Sequence, residues 1–193
     1  MLSYKESLKI LKETDALIEG HFILSSGLHS DKYIQCAKLL SKPQKAKDLC
    51  QSLAEKIKEN FNDFNLVLSP AVGGIVIGYE IGRLLNVETI FAERENKIFQ
   101  LRRGFEIKKN HKILIVEDVI TTGKSSLECS VLAEKLGAEI VGFASLIDRS
   151  NGKSKINKKI ISQVQIEIPT FTEENIPEKL QRIKATKPGS RDL

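Results

Sequence analysis

Residues 113–125 read Ile-Leu-Ile-Val-Glu-Asp-Val-Ile-Thr-Thr-Gly-Lys-Ser. Ile113 to Val116 are four consecutive apolar residues, the pattern of a strand buried on both faces of a sheet. Glu117 and Asp118 follow at the carboxyl end, where open α/β sheets place their ligands. Thr121, Thr122, Gly123, Lys124 and Ser125 then offer hydroxyls and backbone N–H groups, and a helix running to about Leu136 is expected to open there. A helix N-terminus favours anions, through its free N–H groups and its dipole. A carboxylate pair beside an anion cradle suits a ligand that carries both sugar hydroxyls and a phosphate.

Two other readings of the stretch fail. Gly123-Lys124-Ser125 ends like a Walker P-loop, but that motif needs a glycine where Asp118 stands. A receiver domain also has paired acids after its first strand, yet no later strand–Asp–strand–Lys series follows Asp118. An ordinary strand–turn–helix accounts for the apolar run and not for two acids followed by Thr-Thr-Gly-Lys-Ser.

Working outward, Leu8, Ile10, Leu11, Leu17 and Ile18 recur at roughly helical spacing, so residues 2–18 are expected to form a helix closed by Gly20. His21 to Gly27 reads as a strand into a turn, and Asp31 to Ala37 as the returning strand. Pro43 suits the first turn of a helix reaching about Asn60. Leu66 to Gly74 is a short buried strand breaking into a glycine-rich turn, followed by a helix over 75–85. Val87 to Ala92 is another strand. Residues 93–109 are polar and basic, a hairpin or mobile loop. Glu139 to Ile147 is a further buried strand, ending at Asp148-Arg149. Residues 151–159 read as a polar linker, 160–184 as a last strand and short helix, and the tail from Ala185 as frayed. Strands alternating with helices imply a largely parallel sheet covered on both faces, an α/β fold.

The chain has 193 residues, 41% hydrophobic and 28% charged, with a net charge of +5. Those values suit one globular domain able to bury a real core. With three Tyr, eight Phe and no basic–aromatic interleaving, nucleic-acid binding is not expected. No apolar run approaches the ~18 residues of a membrane span, so no membrane association is expected. The charged N-terminus lacks a signal-peptide core. Cys36, Cys50 and Cys129 have no metal spacing and read as reduced thiols of a cytoplasmic protein. His21, His29 and His111 show no ligand spacing.

The motif strand fits the phosphoribosyl-pyrophosphate (PRPP) motif of type I phosphoribosyltransferases at every position: four apolar residues, two acids, two apolar residues, then Thr-x-Gly-x-Ser. Glu117-Asp118-Val119-Ile120-Thr121-Thr122-Gly123 is the form favoured by the orotate branch, and the resemblance extends over roughly residues 20–150. Gly20 to Gly27 with His29-Ser30 resembles that branch's N-terminal hood. Phe91 to Arg94 with Leu101 to Phe105 resembles its short-loop form, and Asp148-Arg149 matches its orotate-binding arginine. The resemblance implies a type I phosphoribosyltransferase fold over 1–193, with a hood of about 1–40 plus part of 150–193 and a core of about 41–150. It implies Mg²⁺-dependent transfer of the phosphoribosyl group from PRPP to orotate, in pyrimidine synthesis, by a homodimer. A purine-directed transferase and a non-catalytic PRPP sensor are the alternatives.

On this resemblance, Glu117 and Asp118 support catalysis and hold the ribose hydroxyls, with Lys97 as a further catalytic candidate. Val119, Ile120, Thr121, Thr122, Gly123, Lys124 and Ser125 bind PRPP, and Arg94, Arg102 and Arg103 serve the pyrophosphate side. Thr121 and Arg149 bind orotate, Arg149 as a planar fork for its carboxylate. No side chain ligates the metal directly; Mg²⁺ comes held by PRPP and water. Two departures fall on the pyrophosphate contacts. Ser25 stands where many relatives have a lysine, and Val72-Gly73-Gly74 stands where many have Tyr-Lys-Gly. The excursion 93–105 is expected to be a mobile lid reaching the partner's site.

Overall fold

A computed structural model describes residues 1–24 and 26–188; Ser25, one of the two lysine departures, lies outside them, as does the end of the tail. The elements are α1 (Tyr4–Glu13), β1 (Leu17–Ile23), β2 (His29–Ile34), α2 (Cys36–Leu40), α3 (Pro43–Asn60), β3 (Leu66–Pro70), α4 (Gly73–Leu85), β4 (Glu88–Glu95), β5 (Ile98–Leu101), β6 (Lys112–Ile120), α5 (Lys124–Lys135), β7 (Glu139–Asp148), β8 (Ile160–Gln165), β9 (Thr170–Phe171) and α6 (Glu178–Gln181).

The large sheet has the order β5-β4-β3-β6-β7-β8, parallel except for the β4–β5 hairpin. The motif strand β6 is central. Alternation along it and along β3 divides the core: Val67, Leu114 and Val116 face α3 and α4, while Leu66, Leu68, Ile113 and Ile115 face α5. Ile113 to Val116 are fully buried, as an apolar run inside a two-sided sheet must be. From β3 the chain crosses through α4 to β4 on one side; from β6 it crosses through α5 to β7 on the other. The crevice between the carboxyl ends of β3 and β6 is therefore the topological switch point, with the N-termini of α4 and α5 at its mouth.

A small antiparallel sheet, β1-β2-β9, joins the N-terminal hairpin to the C-terminal segment. His21 and His29 lie side by side in it, Nε2 to Nδ1 at 2.7 Å, and His21 Nδ1 is 2.9 Å from the Ile183 carbonyl. One imidazole pair thus links both strands to the segment after α6.

Several boundaries differ from the sequence expectation. The first helix stops at Glu13, and Leu17 and Ile18 instead pair with Ile34 and Tyr33 in β1–β2. Thr14, whose hydroxyl bonds back to the Ile10 carbonyl, and Asp15 at φ 56° turn the chain there. The returning strand begins at His29, and Cys36–Leu40 is helical. Part of the tail is docked: Thr186 N–H donates to the His21 carbonyl (2.9 Å) and Ile23 N–H to the Thr186 carbonyl (2.8 Å). Within the polar stretch 151–159, Ile156 is buried against the turn before α5.

Residues 93–101 form a hairpin at the edge of the sheet, one of the two forms expected of the segment. Asn96 and Lys97, both at positive φ (50° and 68°), make the two-residue turn of the β4–β5 hairpin. Phe99 is buried, and Phe91 meets Phe105 edge-on at 5.1 Å. These aromatic anchors hold the segment on the sheet.

Candidate active site

β6 carries the acids further into the ladder than the apolar run suggested. Glu117 pairs in register with Ser145, and Ile120 with Asp148. Glu117 is buried and Asp118 half-buried. Burial pushes the Glu117 carboxyl up to about 9, and the neighbouring Asp118 charge adds to the rise. Both effects favour the protonated form of Glu117. Asp118 turns its carboxylate to Gly73 at the start of α4, and its Oδ1 accepts the Val119 N–H at 2.8 Å.

Beyond β6 the chain makes the cradle. Gly123 takes φ 76° as the N-cap of α5, and Lys124 N–H donates to the Thr122 hydroxyl at 3.3 Å. Gly123 has no side chain to cap α5, so beyond the Lys124 N–H the next N–H groups, of Ser125 and Ser126, have no side-chain acceptor. A side chain at Gly123 would strike Ile156 at 2.8 Å, beyond the strain of its backbone. Lys155 N–H donates to the Thr122 carbonyl at 3.2 Å, so the cradle is backed by the 151–159 segment.

A cavity of about 860 Å³ opens over these groups. Glu117, Val119, Ile120 and the whole run Thr121 to Ser125 line it, with Ser126 and Glu128 from α5 and Arg94 and Lys97 from the hairpin. Arg94 is anchored from four directions. It forms an ion pair with Glu128, donates to the Lys97 carbonyl (2.9 Å), reaches the Ser125 hydroxyl (3.5 Å) and lies 4.1 Å over the Phe99 ring. The sequence reading missed Glu128; its position four residues after Lys124, on the same helix face, was the available signal.

Arg102 and Arg103 are not brought to this cavity. Arg103 pairs with Glu93 (2.8 Å) and sits over Phe91 (5.8 Å), while Arg102 lies 3.7 Å from Glu95. Arg149 takes a different position. Its N–H donates to the Ile120 carbonyl (2.8 Å), fixing it beside the end of the motif strand. Its guanidinium is half-buried, its Nε is buried without a hydrogen-bond partner, and it has no carboxylate partner among the described residues. Burial pulls its pKa below the usual arginine value, and the Tyr33 phenol of β2 lies close enough to oppose that shift.

Residues 38–182 match the family model described as phosphoribosyl transferase domain. The chain belongs to the phosphoribosyltransferase family. Among curated relatives, one from Carboxydothermus hydrogenoformans, named orotate phosphoribosyltransferase, is 45% identical over 95% of this chain and 96% of its own. One of the same name from Parvibaculum lavamentivorans is 46% identical over 96% and 97%. The crystal structure of orotate phosphoribosyltransferase from Aeropyrum pernix shares the fold at TM-score 0.72 and 23% identity, covering 82% of this chain and 92% of that one. The cavity over Glu117 and Thr121 to Ser125 lies within the matched residues.

Proposed function

We propose that this phosphoribosyltransferase moves the phosphoribosyl group of PRPP to N1 of orotate, giving orotidine 5′-monophosphate and pyrophosphate in pyrimidine synthesis. The observation that carries the reading is the unpaired, half-buried guanidinium of Arg149, a residue whose backbone N–H is bonded to the Ile120 carbonyl at the end of the motif strand. A buried cation without an anion is costly until a ligand supplies one. The orotate carboxylate is a planar, bidentate match, and uracil has none. The names of the two curated relatives support the same substrate.

In this reading the free N–H groups and hydroxyls of Thr121 to Ser125 receive the 5′-phosphate of PRPP. Thr121, the first cradle residue after the acidic pair, also serves orotate. As the bond from C1 to pyrophosphate breaks, positive charge grows on the ribose. Asp118 and Glu117 hold its hydroxyls and stabilise that charge. The arriving cation also favours ionised Glu117, against the burial that keeps it neutral beforehand. Arg94 and Lys97 line the same cavity and offset charge on the leaving pyrophosphate.

Mg²⁺ is the proposed cofactor. Among the described residues no cluster of three or more acids, histidines or cysteines could hold it. Two carboxylates beside the cavity fit an ion that enters on pyrophosphate oxygens and water, as Mg²⁺ commonly does. When bound it would supply charge neutralisation to the leaving group.

A homodimer is the proposed assembly. Val72, Val76 and Tyr79 make one exposed apolar stripe along α4, 82%, 52% and 66% exposed. Tyr79→Lys is expected to shift a sedimenting dimer to monomer; an unchanged sedimentation coefficient places the interface elsewhere. A cytoplasmic location accords with three buried, unpaired cysteines.

The reaction test is the loss of orotate absorbance with PRPP and Mg²⁺, run beside uracil and adenine. Orotate alone should be consumed. Adenine consumption would move the chain to the purine-directed transferases, and no consumption of any base would favour a PRPP sensor.

A further inference from the structure

Two glycines begin α4 at the switch point, and they face different neighbours. A Cβ placed on Gly73 would stand 2.8 and 2.9 Å from the two carboxylate oxygens of Asp118 and 3.0 Å from its Cγ. A Cβ on Gly74 would stand 3.1 Å from Glu117 Oε1, 3.1 Å from the Val116 carbonyl oxygen and 3.2 Å from the Pro70 ring. Neither glycine has a positive φ, so backbone strain does not explain them. Space does. What crowds Gly74 includes main chain and a fixed ring, which cannot yield. The three atoms nearest Gly73 all belong to one short, rotatable side chain.

Asp118 is therefore the group that gives way. Its Oδ1 is steadied by the Val119 N–H at 2.8 Å. To clear a methyl at position 73 it must rotate and give up that hydrogen bond, at modest cost to the fold and at direct cost to its aim.

We propose that Gly73 is a positioning residue: the missing side chain at the start of α4 sets the direction in which Asp118 meets the ribose of PRPP. The proposal rests on the reading of this crevice as the PRPP site. The position is one of the two where this chain lacks the lysine that many relatives carry. Here its volume is filled by the acid itself, so the departure reshapes the acidic pair as well as removing a cation.

The test is a double-mutant cycle of Gly73→Ala and Asp118→Ala, followed by steady-state kinetics, calorimetry of PRPP binding with Mg²⁺, and thermal melting. Gly73→Ala should lower kcat/KM for PRPP about 10-fold or more, in line with the cost of small misplacements at a reacting centre, while orotate KM stays within about 2-fold. In the Asp118→Ala background the added methyl should change PRPP affinity and rate by less than about 2-fold, because nothing is left to push. If Gly73→Ala lowers the melting temperature, adding Asp118→Ala should restore it. Gly74→Ala should lose stability whatever stands at 118. The proposal is overturned if Gly73→Ala matches wild type, if it costs the same factor with and without the Asp118 carboxylate, or if a lost melting temperature is not regained in the double variant. A wild-type chain that binds PRPP but consumes no orotate would sink the assigned reaction instead, and the calorimetric cycle would still decide the role of Gly73.

Discussion

The motif strand with its cradle and the basic β4–β5 hairpin face each other across one cavity, and they are built on opposite principles. In the cradle most of the useful groups are left free: Gly123 gives α5 no side-chain cap, and of the first N–H groups only that of Lys124 meets a side chain, the Thr122 hydroxyl. On the hairpin each arginine already has an acid beside it. Arg94 is paired with Glu128, Arg103 with Glu93, and Arg102 lies beside Glu95. Four basic residues in a short segment suggested a strongly positive surface; the fold supplies an acid beside each arginine. A count of cations in a sequence therefore overstates the charge a ligand meets. Arg149, unpaired and half-buried, is worth more to an anion than an exposed arginine already held by a glutamate.

The sharpest way to break this contrast is at the acids. Asp118→Asn keeps volume and removes a charge aimed at a forming cation. It should lower kcat/KM by roughly 10²-fold or more, on the order of 3 kcal/mol, with little change in melting temperature. Near-wild-type kinetics in that variant would mean the acids are not electrostatic support. Arg149→Ala comes next. Leaving the orotate carboxylate unpaired in a partly dry site should cost about 2–4 kcal/mol, seen as a rise in orotate KM far above any change for PRPP. A parallel rise in both constants would remove Arg149 from the base subsite.

The hairpin separates its own arginines. Arg94 lines the cavity with Lys97, so Arg94→Ala should reduce kcat/KM for PRPP by about 10-fold, since a cation beside the leaving pyrophosphate is lost and Glu128 is left without its partner. Arg102 and Arg103 are exposed and paired along the hairpin, where such pairs contribute about 0–1 kcal/mol. Their alanine variants should change kinetics by about 2-fold at most if each chain serves only its own site. A larger loss would mean that these arginines leave their glutamates to serve a second copy. Mixing Asp118→Asn chains with Arg102/Arg103-deficient chains then decides the matter. Activity regained in the heterodimer would place the loop in trans.

What was legible in the sequence was whatever depends on neighbours along the chain. The apolar run of β6, proline at the head of α3, the glycine-rich break after β3 and the cradle residues all carry local signatures. The start of β1 was hidden because Leu17 and Ile18 continue a helical spacing just as well as they begin a strand, and only pairing with Tyr33 and Ile34 decides. Thr186 gave no sign because backbone hydrogen bonds to β1 hold it. The hairpin's arginines are legible as a basic cluster, while their acidic partners are not, since Glu93 and Glu128 reach them only after folding. Gly73 looked like a missing lysine, and its contact with Asp118 exists only where β3 and β6 part.

The smallest expected effect concerns stability rather than rate, and it tests whether burial at the acids has a thermodynamic cost. Glu117 sits in the fold with a carboxyl raised to about 9, chiefly by burial and then by Asp118. In the unfolded chain a glutamate titrates near ~4.3. Between those values the folded state holds a proton that the unfolded state has released, so stability falls as pH rises through this window. Below it, wild type and Glu117→Gln should respond to pH alike. Above it the glutamine, neutral at every pH, avoids the loss. The melting temperature of Glu117→Gln relative to wild type should therefore climb steadily from pH 5 to pH 9. The same variant should have lower activity, since a group that must ionise beside the ribose cation no longer can. A difference in melting temperature that stays flat across that range would mean Glu117 is already ionised in the free protein. The acids would then carry two charges before any ligand arrives, and the crevice would differ from the hairpin in sign as well as in how its charge is held.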